Sequence, residues 1–444
     1  MMNRFNLACC SWFIWLFLIV PVHVCGNDTV EQSPPNIILI MADDLGYETI
    51  GAYGSSSYQT PNLDRLAREG VRFEHCYAQP LCTPTRVKLM TGQSNIRNYV
   101  DFGVLHRSQK TFANLLRDSG YQTCIVGKWQ LGKELDGPKH FGFDEHCLWH
   151  FVQRQERYPN PTVTTNGEVK QYKDGEYGPD IVANYGMEFI RRNKDKPFLL
   201  YYPMILTHCP FCPTPDSKDW DKTSKGSATY KGDAKYFGEM VTYMDKIIGQ
   251  ILGCLEEVGV RENTLVMFIG DNGTDRPVVS AMQDGTKIAG QKNKTVDAGT
   301  RVPMIVDWPR HSAKGKVIHD LVDMSDFLPT ICEAASLKIP KEFVIDGQSF
   351  LPQLKGVEGT PRKSIYIWYS RNGETHKNFS PKVFARNQRY KLYSTGQFFD
   401  ISSDPLEKNP ISVDALKSDA KTVKEMLAAK IAKYEGLRLT SIKD

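Results

Sequence analysis

Two stretches of the chain are apolar without interruption and end alike. Asn36 to Ala42 (Asn-Ile-Ile-Leu-Ile-Met-Ala) closes on Asp43-Asp44, and Thr264 to Ile269 (Thr-Leu-Val-Met-Phe-Ile) closes on Gly270-Asp271-Asn272-Gly273. Short continuous apolar runs are the pattern of strands buried on both faces of a parallel sheet. Tyr121 to Val126 and Pro197 to Met204 are also predicted strands, followed by Gly127-Lys128-Trp129-Gln130-Leu131-Gly132 and by Thr207-His208-Cys209-Pro210. Helical stretches fall between them. Thr60-Pro61 opens a helix that Gly70 closes, with Leu63, Leu66 and Ala67 inward; Thr111 to Asp118 is stopped by Gly120; Gly232 to Val258 is closed by Gly259. Val71 to Ala78 reads as a further strand. Strands alternating with helices predict an α/β fold around a large, mostly parallel sheet. After Gly347 the texture changes: Ser364 to Tyr369, Lys382 to Arg386 and Tyr390 to Ser394 read as short antiparallel strands. Phe398 to Ile401 follows, and a helix from about Val413 to Tyr434 closes the chain.

In a parallel sheet, ligands bind beyond the carboxyl ends of the strands. Asp43, Asp44, Asp271 and Asn272 all fall there, and four oxygen donors with no soft ligand suit Ca²⁺ or Mg²⁺ rather than zinc. Either pair alone reads as a helix cap or turn; the two together point to a metal.

Between these strands lies Pro80-Leu81-Cys82-Thr83-Pro84-Thr85-Arg86-Val87-Lys88-Leu89-Met90-Thr91-Gly92. Pro84 fits a first helical turn, where its missing N–H is not needed. That puts Cys82 at the helix N-terminus, facing free amides and the positive end of the dipole, with Arg86 one turn on and on the same face. The arrangement suits an anion that Cys82 can touch. A bare C-x-P-x-R fits a buried structural cysteine equally well.

The chain has 444 residues, enough for a large domain and a smaller one. Its net charge of +4, from 55 basic and 51 acidic residues, forms no dense basic stripe, which argues against nucleic acid as a partner. Arg4, then an apolar run from Leu7 to Val20 broken by Pro21, then Val24-Cys25-Gly26, reads as a secretory signal peptide over 1–26. The run is short for a span, so no stable membrane insertion is expected and the chain is read as exported, to a periplasm or the extracellular space. Of 11 cysteines, eight follow the leader. Cys209-Pro-Phe-Cys212 has the spacing of a redox or zinc half-site; without a second such pair, a local disulfide or two packed thiols is the expectation. Sequons stand at Asn27, Asn272, Asn293 and Asn378.

All thirteen positions from Pro80 to Gly92 resemble the signature of the type I, formylglycine-dependent sulfatases, an arylsulfatase-like family of the alkaline phosphatase superfamily. Gly127 to Gly132 is similar to the family's G-K-W-H-L-G, His208-Cys209-Pro210 to its H-x-P, and Lys292 to Pro303 more loosely to K-G-x-x-x-E-G-G-x-R-V-P. The resemblance covers the chain from about Pro35 onward. It implies an alkaline-phosphatase-like α/β fold, with a mixed, mostly parallel sheet flanked by helices in a catalytic domain over 34–360. A small antiparallel sheet plus helix over 361–444 completes it. It further implies that a formylglycine-generating enzyme oxidises Cys82 to Cα-formylglycine, and that Asp43, Asp44, Asp271 and Asn272 bind one divalent ion beside it. A hydroxyl of the hydrated aldehyde attacks sulfur, and the second hydroxyl on the same carbon allows sulfate to be expelled. Lys128 and Lys292 match the sulfate-binding lysines, with Lys294 a competitor for the second. Arg86 would fix the hydrated residue, Asp271 take the attacking proton, and His208 with Lys292 protonate the leaving alcohol. Gln130 departs from the pattern, standing where the family has a histidine.

The expected reaction is hydrolysis of sulfate monoesters, on a sulfated carbohydrate whose site Trp149, His150, Arg154 and Arg157 would line; the same residues read equally well as an ordinary loop rich in aromatic and basic side chains. Two alternatives compete: a phosphoester hydrolase on the same fold, and a catalytically impaired sulfated-glycan-binding protein, because of Gln130.

Overall fold

The first apolar run forms strand β1 (Asn36–Ala42), buried along its whole length. Its side chains alternate between two cores, as the pleat requires. Ile37, Leu39 and Met41 join one buried cluster, and Ile38, Ile40 and Ala42 join the other. The computed structural model describes residues 33–153, 156–224, 233–373, 376, 379–412, 414 and 417–438. The expected leader over 1–26 lies outside the described residues, as do Arg154 and the sequon positions Asn27 and Asn378.

Further strands follow in chain order: β2 (Val71–Tyr77), β3 (Gln122–Gly127), β4 (Glu145–Trp149), β5 (Thr162–Thr165), β6 (Glu168–Gln171), β7 (Phe198–Pro203) and β8 (Thr264–Gly270). A short hairpin, β9 (Val279–Ala281) and β10 (Lys287–Ala289), precedes β11 (Arg301–Val302), β12 (Met304–Asp307) and β13 (Lys316–Asp323). The middle of the large sheet, β8-β1-β7-β3-β4, is parallel throughout. Antiparallel strands extend it at both sides: β5 and β6 beyond β4, and β12 then β2 beyond β8, with β13 returning parallel to β2.

Helices cover both faces. Pro61–Glu69, Gly178–Arg192 and Phe237–Glu257 supply Leu63, Val182 and Met240 to one core. Cys82–Thr91, Phe112–Asp118 and Phe327–Ala334 supply Val87, Phe112 and Phe327 to the other. The C-terminal strands β14 (Ile365–Tyr369), β15 (Lys382–Arg386), β16 (Tyr390–Tyr393) and β17 (Phe398–Asp400) form an antiparallel sheet in that order, followed by helix Ser418–Ala432. Tyr366 of β14 stacks on Tyr434 beyond this helix at 4.1 Å. Trp368 belongs to the same buried cluster as the helix Cys82–Thr91. The long helix predicted from Gly232 begins at Phe237, after a 3-10 turn over Ala234–Tyr236.

Candidate active site

Strands β1 and β8 pair directly and in parallel, with Ala42 opposite Gly270. Asp43 and Asp271 therefore leave the sheet at the same level, at its carboxyl edge. Lys128 follows β3 there and His208 follows β7. The helix Cys82–Thr91 brings its first residue to the same place. Leu81 caps it in extended backbone, and Gly92 ends it at φ 66°, where a left-handed residue is needed. Its first turn is fixed by Thr85, whose hydroxyl accepts from the Gln79 amide and donates to the Leu81 carbonyl, each at 3.0 Å. Asn95 donates to the Pro84 carbonyl at 2.9 Å.

The side chains converge as pairs. Lys128 Nζ donates to Asp43 Oδ2 at 2.6 Å, and Lys292 Nζ donates to Asp44 Oδ2. Arg86 spans the site, with Nη2 on Asp271 Oδ2 at 3.1 Å and Nη1 on the Lys128 carbonyl at 3.0 Å. Asp271 Oδ1 accepts from the Asp44 amide at 3.0 Å, and Asn272 Nδ2 donates to Asp44 Oδ1 at 2.8 Å. Cys82 Sγ and carboxylate oxygens of Asp43 and Asp271 lie within 4.8 Å of one another. His208 turns Nε2 toward Lys292 Nζ, 3.3 Å away, and Asp44 Oδ2, 3.6 Å away. Its Nδ1 faces Arg157 Nη1 at 2.8 Å.

Burial sets the electrostatics. It alone would raise the Asp43 carboxyl, but Lys128, His208 and Arg86 outweigh it and hold the group below the ordinary carboxylate range. Asp271 goes the other way: burial, then the neighbouring Asp43, pushes it up to about 8 against the pull of Arg86. Burial raises the Cys82 thiol, so the unmodified side chain is a poor thiolate nucleophile. Burial and then Lys292 depress His208.

The residues fit a hard divalent cation. Asp43 Oδ1 and Asn272 Oδ1 are buried oxygens with no hydrogen-bond donor, among carboxylates whose mutual repulsion a cation relieves. All six expected catalytic positions and all four oxygen donors come together. Of the two competing lysines, Lys292 is buried against Asp44 and Lys294 is exposed. Asn272 is fully buried, which closes its sequon to glycosylation. No disulfide joins Cys209 to Cys212, nor any other pair of the described cysteines.

A cleft of about 1010 Å³ opens above Cys82, Lys128, His208 and Lys292. Gln130 lines it, and its Oε1 has no hydrogen-bond partner. Trp149 and Arg157, expected near a glycan, line it too. Sequence reasoning missed Phe102 and Arg371 on the wall. Arg371 follows β14, so the C-terminal part reaches the cleft, and no local pattern marks it.

Comparison with known proteins gives the family. The family model described as Sulfatase matches residues 35–337, and the model described as N-sulphoglucosamine sulphohydrolase, C-terminal, matches residues 291–435. The chain belongs to the sulfatase family of sulfuric ester hydrolases. It is 34% identical to N-acetylgalactosamine-6-sulfatase of Rattus norvegicus over 72% of this chain and 66% of that one. It is 31% identical to arylsulfatase A of Homo sapiens over 84% and 78%. The solved structure of Ps i-CgsB, also determined in complex with k-i-k-neocarrahexaose, superposes with a TM-score of 0.75 at 26% identity, covering 92% of this chain and 94% of that one. Among the described residues no helix is long and apolar enough to cross a membrane.

Proposed function

We propose that the chain is an exported sulfatase that hydrolyses sulfate monoesters of a sulfated carbohydrate. It would use formylglycine made from Cys82 and one Ca²⁺ or Mg²⁺ held by Asp43, Asp44, Asp271 and Asn272. The observation that carries this reading is the position of Cys82 Sγ. It lies at a helix N-terminus within 4.8 Å of Asp43 and Asp271 oxygens, on the floor of a cleft that Lys128 and Lys292 enter. The leader pattern supports export. Cys82 is only 2% exposed, so a formylglycine-generating enzyme must reach it before this helix packs.

Hydrated formylglycine would supply the attacking hydroxyl and a second one for release, and a cation held by Asp43, Asp44, Asp271 and Asn272 would supply positive charge to stabilise the anion. The chain's own residues do the rest. Lys128 and Lys292 hold the sulfate oxygens and turn its sulfur toward residue 82. Arg86, locked on Asp271 and the Lys128 carbonyl, orients the nucleophile. Asp271 accepts the proton of the attacking hydroxyl. His208, with Lys292 beside Nε2, gives a proton to the leaving alcohol oxygen. In sum a water and a sulfate ester become an alcohol, sulfate and a proton. Carbohydrate as the leaving alcohol is supported by the size of the cleft, by its aromatic walls at Trp149 and Phe102, and by the names of the relatives.

Sulfate release from defined sulfated sugars, run beside the matching phosphate esters, tests the reaction. Mass spectrometry of the Cys82 peptide tests the nucleophile. Sulfate-selective turnover with an aldehyde at residue 82 is expected. Phosphate-selective turnover, or an unmodified thiol throughout an active preparation, would overturn the reading. Gln130 favours one second reading, an impaired glycan binder, which would bind sulfated sugar without releasing sulfate.

A further inference from the structure

Among the described residues seven Lys and Arg side chains are buried: Arg86, Lys88, Lys128, Arg157, Lys292, Arg386 and Lys391. Six of them sit against a carboxylate, on Asp271, Asp323, Asp43, Asp44, Asp297 and Glu407 in the order Arg86, Lys88, Lys128, Lys292, Arg386, Lys391. That is the rule for buried charge, because an uncompensated one is costly. Arg157 breaks it. It is 6% exposed, and its side-chain hydrogen-bond partner is the ring of His208, which carries no negative charge. Its guanidinium lies 4.2 Å over the face of Trp149. Both of these residues, and Arg157 itself, line the cleft. The same wall carries Lys133 and Arg371, and among the described residues no Asp or Glu lines it.

We infer that the missing counter-charge of Arg157 comes from the substrate: Arg157 binds a second anionic group, a carboxylate or a further sulfate, on the sugar that carries the scissile sulfate or on its neighbour. This rests on the sulfatase reading and deepens it, since it makes the substrate polyanionic. The scissile sulfate itself does not fill this role. Arg157 meets the Nδ1 side of His208, whereas Lys292 and Asp44 meet the Nε2 side, so the imidazole stands between Arg157 and the lysine proposed to hold sulfate. A guanidinium lying over an indole face keeps its planar fork of N–H donors at the cleft wall, the geometry that takes a carboxylate or sulfate through two bonds. Arg157 is thereby a specificity determinant.

The test uses Cys82→Ala protein, which binds without turnover, titrated by calorimetry with three disaccharides. One carries a single sulfate, one a second sulfate, and one a single sulfate beside a uronic acid. The doubly anionic sugars bind about 10- to 100-fold tighter than the singly sulfated one, the range for charge-assisted hydrogen bonds. The two arms tell sulfate from carboxylate. In Cys82→Ala/Arg157→Gln the preference collapses below about threefold, and Arg157→Lys, which keeps charge without the fork, falls between. Near-UV circular dichroism confirms that each variant is folded, and the Lys variant carries the test if the Gln variant is not. Equal affinities in the parent, or a preference that survives Arg157→Gln, overturns the inference. Sulfate release without any preference would remove the inference and leave the sulfatase reading standing. A preference in binding without sulfate release from matured protein would do the reverse.

Discussion

Lys88 belongs to the same thirteen-residue signature as Cys82 and Arg86 but lies on the other side of the helix, away from the cleft. Its Nζ donates to Asp323 Oδ2 at 2.6 Å and to the Tyr366 carbonyl at 3.3 Å. One residue thus ties the helix Cys82–Thr91 to the end of β13 and to the C-terminal sheet. Both charges are buried, at 2% and 3% side-chain exposure. Lys88→Met keeps most of the volume and removes the charge, leaving Asp323 without its main cation. Breaking a buried pair from one side costs about 3–5 kcal/mol. Here the lower end applies, about 3 kcal/mol by the same rule, because Ser325 still donates its amide and hydroxyl to Asp323 and Arg362 acts on it from nearby. With an m of about 3 kcal/mol/M in urea, the midpoint falls by about 1 M. The pH dependence has a definite sign. Burial would raise the Asp323 carboxyl, but Lys88 and Arg362 hold it below its ordinary value. Its contribution to stability is therefore complete at neutral pH and is lost as pH falls through the depressed folded value, below about 4. In Lys88→Met burial is no longer opposed by Lys88, the carboxyl rises, and acid relieves the unpaired charge. The gap between the two proteins is widest near pH 7 and narrows toward pH 4. Urea unfolding followed by tryptophan fluorescence at several pH values measures both effects. A midpoint shift under about 0.3 M, or a gap that does not narrow in acid, would refute the reasoning.

Metal analysis of purified protein shows about one Ca²⁺ or Mg²⁺ per chain, and Asp44→Ala, which removes a donor and frees Lys292, lowers that stoichiometry; stoichiometric zinc, or full activity without metal, contradicts the site. Cys82→Ala has no measurable sulfate release in a radiometric or ion-chromatographic assay, since no neighbouring hydroxyl replaces the hydrated aldehyde. Gln130 cannot take a proton near neutral pH, and losing a general base costs about 10²–10⁴-fold in the step it serves. Rapid mixing with a chromogenic sulfate ester shows steady release, with a neighbouring group or water as base; one stoichiometric burst and then silence would place the chain among the binders.

The central strands were legible because burial on both faces leaves an unbroken apolar run, and their carboxyl ends locate the site without any motif. The edges were not. β5 and β6 are four residues each, too short to carry a readable period, and β13, though eight residues long, begins with exposed positions that leave no continuous apolar run. The choice between Lys292 and Lys294 could not be made from spacing either, because the segment is irregular. Asn293 between them is left-handed at φ 72°, and its side chain accepts from the Tyr369 hydroxyl of β14. That turn sends Lys292 inward and Lys294 to solvent. Arg157 looks like an ordinary loop cation in sequence; its burial comes from Trp149 at the end of β4 and His208 beyond β7, which only the folded sheet brings to it.

The paired carboxylates after β1 share one site because of the way that strand ends. Successive side chains in a strand point to opposite faces, so adjacent acids on a continuing strand cannot share a ligand. Asp43 and Asp44 both reach the site because the strand stops at Ala42 and Asp44 turns left-handed, at φ 61°. Aspartate tolerates that region better than most residues. The turn also aims the Asp44 amide at Asp271 Oδ1, so one backbone excursion fixes two of the oxygen donors. Gln130 sits in the same region at φ 56° and has no such side-chain partner for its Oε1. Glutamine gains less from a left-handed turn than aspartate does, and strain of this kind costs about 1–3 kcal/mol where the surroundings hold it. The surroundings here are Lys128 and Trp129: the first pinned on Asp43 with its amide bonded to the Pro203 carbonyl, the second packed against Phe141 and Phe143. Gln130 is therefore presented to the cleft by its neighbours, whatever its own preference.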